Sequence, residues 1–157
     1  MSMTITSTAF KPGTQIPKEN TGEGKDVSPA LNWSGVPQGT KELALICDDP
    51  DAPRPSPWVH WVIYGMAPDL AGLPDGIPAR ETLTDPKAVQ GTNDFGKIGY
   101  GGPMPPKGHG KHRYFFKLYA LDTNLSLGPK ATKQKLLDAM KGHILAQGEL
   151  IGTYERK

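Results

Sequence analysis

Apolar residues occur in short bursts along this chain, and the spacing within each burst separates strand from helix. Thr4 to Ala9, rich in Thr and containing Ile5, suits an opening strand, and Lys11 to Lys25, with Pro12, Gly13, Pro17, Gly22 and Gly24, suits a loop. Ser28 to Ser34 predicts a short strand with Pro29 near its start, where a missing amide donor does least harm. Glu42 to Cys47 carries a continuous apolar run, the pattern of a strand covered on both faces, and the run stops at Asp48-Asp49-Pro50-Asp51. Trp58 to Tyr64 predicts the next strand. Strict alternation there puts Trp58, His60, Val62 and Tyr64 on one face and Val59, Trp61 and Ile63 on the other. Both faces are apolar, so a central position is expected.

From Ala67 to Gly110 the chain is dense in Pro, Gly and Asp, with strand character only over Lys87 to Thr92. Loops of such length in a compact domain are commonly functional or disordered. His112 to Leu121 returns to strand, with His112, Tyr114, Phe116, Leu118 and Ala120 sharing a face. Thr132 is placed to cap a helix through Leu136, Leu137 and Met140, and Gly142 to end it. Ile144 to Gln147 reads as a further helical turn, and Glu149 to Tyr154 as a closing strand with Gly152 as a candidate bulge. No internal repeat is present.

Composition adds to this picture. A length of 157 residues suits one domain spanning 1–157, and 19 Gly with 16 Pro favour short strands and punctuated loops, hence a mainly β fold. The net charge of +2 is spread along the chain without a basic block, which argues against a nucleic-acid partner. Cys47, the only cysteine, stands in an apolar run and predicts a buried thiol. No cationic leader followed by an apolar stretch is seen, nor any run of about 18 apolar residues. A cytoplasmic protein without stable membrane insertion is therefore expected.

Four polar residues lie at the ends of predicted buried strands beside Pro- or Gly-rich loops: Asp49, His60, His112 and Tyr114. Imidazole and phenol groups can donate hydrogen bonds to an oxyanion, and a carboxylate can fix which imidazole nitrogen carries the proton. The glycines Gly99, Gly101 and Gly102 suggest backbone amides gathered as an anion nest.

Asp49-Pro-Asp-Ala-Pro53, Trp58-Val-His-Trp61 and Gly101-Gly-Pro-Met-Pro-Pro-Lys-Gly-His-Gly-Lys-His-Arg-Tyr114 resemble the two signature regions of the phosphatidylethanolamine-binding, or Raf kinase inhibitor-like, family. Asp26 to Ser34 and Glu149 to Tyr154 extend the resemblance over nearly the whole chain, and the ending is similar to the short bacterial and archaeal branch. The resemblance implies a β-sandwich with a large central antiparallel sheet, a smaller second sheet and one or two helices in the C-terminal region. It implies a shallow ligand pocket built from Asp49, Trp58, His60, Gly102, Met104, Pro106, His112 and Tyr114, and cis peptides at Ala52-Pro53 and Ser56-Pro57. Two departures stand out: the branch often has Cys where this chain has Gly22 and Met104.

The function expected from these residues is a non-catalytic binding protein for a small anionic ligand such as phosphate or a phosphorylethanolamine-like group. By family analogy, a regulatory role toward a kinase or protease is also expected, and the many aromatic and apolar residues near loops suggest a homodimer. The alternative is a hydrolase using Asp49 and the histidine pair, with or without a metal. The chain has no nucleophile elbow, P-loop or cofactor fingerprint, so no cofactor, metal site or catalytic residue is assigned.

Overall fold

The computed structural model describes residues 2–157. Nine strands and one α-helix follow in the order β1 (Thr4–Thr6), β2 (Leu31–Ser34), β3 (Glu42–Asp49), β4 (Trp58–Met66), β5 (Gly72–Leu73), β6 (Thr82–Thr84), β7 (Lys87–Gln90), β8 (His112–Leu121), α1 (Lys133–Met140) and β9 (Ile144–Tyr154). The strands form two antiparallel sheets, a large one ordered β6-β7-β4-β3-β8-β9 and a small one ordered β1-β2-β5.

The large sheet is covered on both faces, which explains the unbroken apolar run of β3. Leu43, Leu45 and Cys47 point toward the small sheet and pack with Ile5, Leu31 and Trp33, whereas Ala44 and Ile46 point the other way, toward Leu136 and Met140 of α1. Thr132 caps α1 by accepting a hydrogen bond from the Lys135 amide at 3.2 Å, and Gly142, at φ +83°, follows its end. The long loops are pegged to the sheet by buried polar side chains. Gln90 accepts from Trp61 Nε1 at 2.8 Å and donates to the carbonyls of Pro78 and Arg80 at 2.7 and 2.8 Å.

Three sequence expectations change. Ile144 to Gln147 is not helical: it belongs to β9, paired with Tyr119 to Leu121, because Gly142 breaks the helix and the inward residues Ala146, Gly148, Leu150, Gly152 and Tyr154 alternate. Gly152 is no bulge. It pairs regularly with Tyr114, and it must be glycine because a β-carbon there would stand 2.6 Å from Ile16 and 2.7 Å from Phe10. The cis peptide is at Asp85-Pro86, in the two-residue turn joining β6 to β7, and not at Ala52-Pro53 or Ser56-Pro57. Proline at the second central position of such a turn is the type VI arrangement.

Candidate functional site

The ends of β3, β4 and β8 converge with the loop around residues 101–106 at one edge of the large sheet. Strand alternation parts the three carboxylates Asp48, Asp49 and Asp51, which lie close together in the chain. Asp48 turns to the α1 face, where Lys133 Nζ lies 2.6 Å and Lys117 Nζ 3.4 Å away. Asp49 turns to the opposite face and meets His112, while Asp51 pairs with Arg113, whose hydrogen bonds hold that carboxyl below its usual range. Among the described residues no group of three or more His, Cys, Asp or Glu side chains is arranged to hold a metal.

A bulge in β4 sets the direction of His60. Val59 stands opposite Asp48 and Trp61 opposite Cys47, so His60 is an extra residue at that point. Val59 therefore joins Val62 and Tyr64 on the helix side, while His60 turns with Trp61 to the other face and meets Tyr114 edge-on, ring centroids 5.1 Å apart. The strict alternation expected for Trp58 to Tyr64 fails here because a bulge re-aims side chains next to it.

These ends enclose a cavity of about 270 Å³. Its polar lining comes from Asp49, Arg54, Trp58, His60, His112 and Tyr114, and its walls from residues such as Pro53, Phe95, Met104 and Pro106. His60 Nδ1 stands 2.6 Å from the Gly101 carbonyl, which only accepts, so Nδ1 carries the proton and Nε2 is left without a protein partner. Burial holds the His60 imidazole below its ordinary pKa, so its neutral form is favoured. His112 is buried and hydrogen-bonded at both nitrogens, Nδ1 to Asp49 Oδ2 at 2.7 Å and Nε2 to His109 Nδ1 at 2.6 Å.

Two donors in the cavity lining are buried and unmatched: the Tyr114 hydroxyl and Trp58 Nε1–H. Burial pushes the Tyr114 phenol upward, so it remains a neutral O–H donor. Orphaned buried donors are uncommon and call for an acceptor. His60 Nε2 adds a third point: in the neutral ring it accepts from a protonated ligand oxygen, and it donates only once the ring is protonated.

The glycine amides do not form the expected nest. Gly99 N–H donates to the Gly91 carbonyl at 3.3 Å, Gly101 N–H to the His60 carbonyl at 2.9 Å and Gly102 N–H to Asp26 Oδ1 at 2.7 Å. Gly102 itself lines a neighbouring recess, separated from the main cavity by a ridge of Phe95 and Met104. Both ridge residues are exposed. Arg54 and Phe95 were not expected at the site. Arg54 lies over the Trp58 ring at 4.6 Å and pairs with Asp94, and Phe95 meets the rings of Trp58 and His60 edge-on. A lone aromatic in the polar loop Asn93-Asp94-Phe95-Gly96 was the available signal. Gly22 and Met104, the two departures, are neighbours: a β-carbon on Gly22 would stand 3.2 Å from Met104 Cβ, somewhat inside the roughly 3.5–4.5 Å separation seen in disulfides.

Comparison with known proteins finds the family model for phosphatidylethanolamine-binding protein matching residues 6–155. A UPF0098 protein of Methanothermobacter thermautotrophicus is 51% identical over 98% of this chain and 99% of its own length. Among solved structures, a phosphatidylethanolamine-binding protein homologue of Chlamydia trachomatis, CT736, superimposes with a TM-score of 0.89 at 44% identity, covering 99% of each chain. YbcL of E. coli, described as a member of the mammalian PEBP family, gives a TM-score of 0.88 at 35% identity over 100% of each chain.

Proposed function

The chain belongs to the phosphatidylethanolamine-binding protein family, and from that premise we propose that it is a non-catalytic binding protein whose main cavity receives the anionic end of a small molecule, a phosphate-type group above all. The observation that carries this reading is the pair of orphaned buried donors, Tyr114 O–H and Trp58 Nε1–H, beside His60 Nε2. Donors directed at an acceptor the protein does not supply are what a site for an oxyanion requires.

The apolar walls add a second requirement. A cavity of about 270 Å³ is several times the volume of a water molecule, about 30 Å³, so an anionic group alone leaves much of it unfilled. The ligand is thus a phosphate-type group joined to a compact apolar body that lies against Phe95, Met104 and Pro106. Hydrolysis is the weaker reading, because Asp49 and His109 engage both nitrogens of His112.

The test is a two-dimensional NMR titration of the full chain with O-phosphorylethanolamine. Saturable shifts centred on His60, Tyr114 and Trp58, lost in His60→Ala, support the reading. Shifts absent at these residues in wild type remove it.

A further inference from the structure

We propose that His109 is a positioning residue of the anion site, holding the outward nitrogen of His112 in the conformation seen here and releasing it when the two imidazoles take a second proton. Asp49 only accepts, so His112 Nδ1 carries the hydrogen of their 2.7 Å bond and Nε2 is the nitrogen left over. That nitrogen meets His109 Nδ1 at 2.6 Å, with the two rings tilted at 62° and their centroids 4.8 Å apart. An N–H···N hydrogen bond needs a lone pair on one of its nitrogens. The closed pair therefore accommodates a net charge of zero or one, and never two imidazolium ions, whose N–H groups would face each other.

The backbone is built to let His109 go. It sits between Gly108 at φ +73° and Gly110 at φ +89°, and a β-carbon at either glycine would meet nothing within 4 Å. Two backbone bonds hold the segment, Gly108 N–H to the Arg156 carbonyl at 3.0 Å and His109 N–H to the Pro106 carbonyl at 3.2 Å. His109 is exposed, whereas His112 is only 1% exposed, so the outer ring can turn while the inner one stays fixed on Asp49.

The charged groups around the pair come from every neighbouring element. Asp49 and Asp51 face it from β3 and the loop after it, His60 from β4 and Arg113 from β8; Lys107 and Lys111 flank it on its own segment, and Arg156 lies below Gly108. Arg113 is bound to Asp51 by two bonds of 2.9 Å, and Arg156 stands 3.5 Å from Glu23, so neither cation is free of a counter-charge. His112 lines both the main cavity and a recess beside His109. Once His109 turns away, His112 Nε2 carries an N–H without a protein partner at the recess beside the main cavity, so a phosphate-type anion that reaches this recess meets a charged donor. This last consequence rests on the proposed binding function; the proton-linked release of His109 does not.

The test uses the full chain in two arms. Without ligand, imidazole and amide NMR signals are followed from about pH 8 to about pH 5, across the ordinary histidine range. Wild type is expected to show His109 and His112 titrating as a coupled pair in two steps, with the Gly108 and Gly110 amides moving in the second. In His109→Ala, His112 should titrate in one step and the glycine amides should stay still. An identical His112 curve in both proteins, or glycine amides that do not move in wild type, overturns the proposal. In the second arm, calorimetry with inorganic phosphate in buffers of different ionisation enthalpy measures proton uptake. Wild type should take up about one proton more than His109→Ala, since the pair titrates as a unit; equal uptake overturns the role in binding. Absence of phosphate binding in wild type would instead count against the proposed function, while the ligand-free arm still decides the fate of His109.

Discussion

Replacing Tyr114 by Phe should make the protein more stable and a poorer binder at once. The hydroxyl is buried without a partner, and the ring itself packs edge-on against His60 at 5.1 Å, a contact Phe retains. Leaving a buried polar group unpaired costs about 1–3 kcal/mol, and removing it recovers part of that. For a chain of this size each kcal/mol moves the melting temperature by about 2–4 °C, so a rise of a few degrees is expected. In the complex the same hydroxyl donates to a charged oxygen, a bond that contributes about 1.5–3 kcal/mol, so Kd for O-phosphorylethanolamine should weaken roughly ten- to 150-fold. Thermal or urea unfolding measures the first effect and calorimetric titration the second. A Tyr114→Phe protein that is clearly destabilised and binds with unchanged affinity would show that the hydroxyl serves folding, and the reasoning would fail.

Other outcomes follow from the same geometry. Because burial lowers the His60 pKa in the folded chain, the unfolded chain binds more protons just below the ordinary imidazole range, so stability is lost as pH falls through and below that range; His60→Asn should flatten this dependence in urea unfolding at two pH values. Lys133→Met leaves the buried Asp48 with only Lys117 at 3.4 Å and should destabilise by about 2–3 kcal/mol, less than for a fully buried pair because Lys133 is partly exposed; urea midpoints check it. Gly102→Ala places a β-carbon 2.5 Å from the Asn20 carbonyl and 2.6 Å from Asp26 Oδ1. The 101–102 peptide must shift against the buried backbone of Asn20 and Thr21, loosening the Gly101 carbonyl from His60, so ligand affinity should drop several-fold in calorimetry and stability should fall clearly as well.

Much of the fold was legible because burial leaves a period in the sequence. The unbroken run of β3, the alternation of β8 and the Thr132 cap each stand where the pattern placed them. The short strands β5 and β6 were not legible: two or three residues such as Gly72–Leu73 carry no period, and pairing with β2 and β7 defines them. Ile144 to Gln147 misled because its residues tolerate helix, while pairing with Tyr119, Ala120 and Leu121 of β8 decides for strand. At the site, the motif residues Asp49, His60, His112 and Tyr114 do meet in one cavity, yet their bonding was hidden. The β4 bulge, the use of the Gly102 amide by Asp26 and the capture of His112 by His109 each depend on partners far apart in the chain or on a local irregularity without a compositional mark.

The most direct test of anion binding is calorimetric titration of wild type with O-phosphorylethanolamine at about pH 6 and about pH 8, on either side of the ordinary imidazole pKa. The account predicts saturable one-site binding that is tighter at the lower pH: burial keeps the free His60 ring neutral, but a bound anion favours its protonated form, which alone offers an N–H at Nε2, so binding takes up a proton. Equal affinity at the two pH values, or no saturable heat at either, would contradict it.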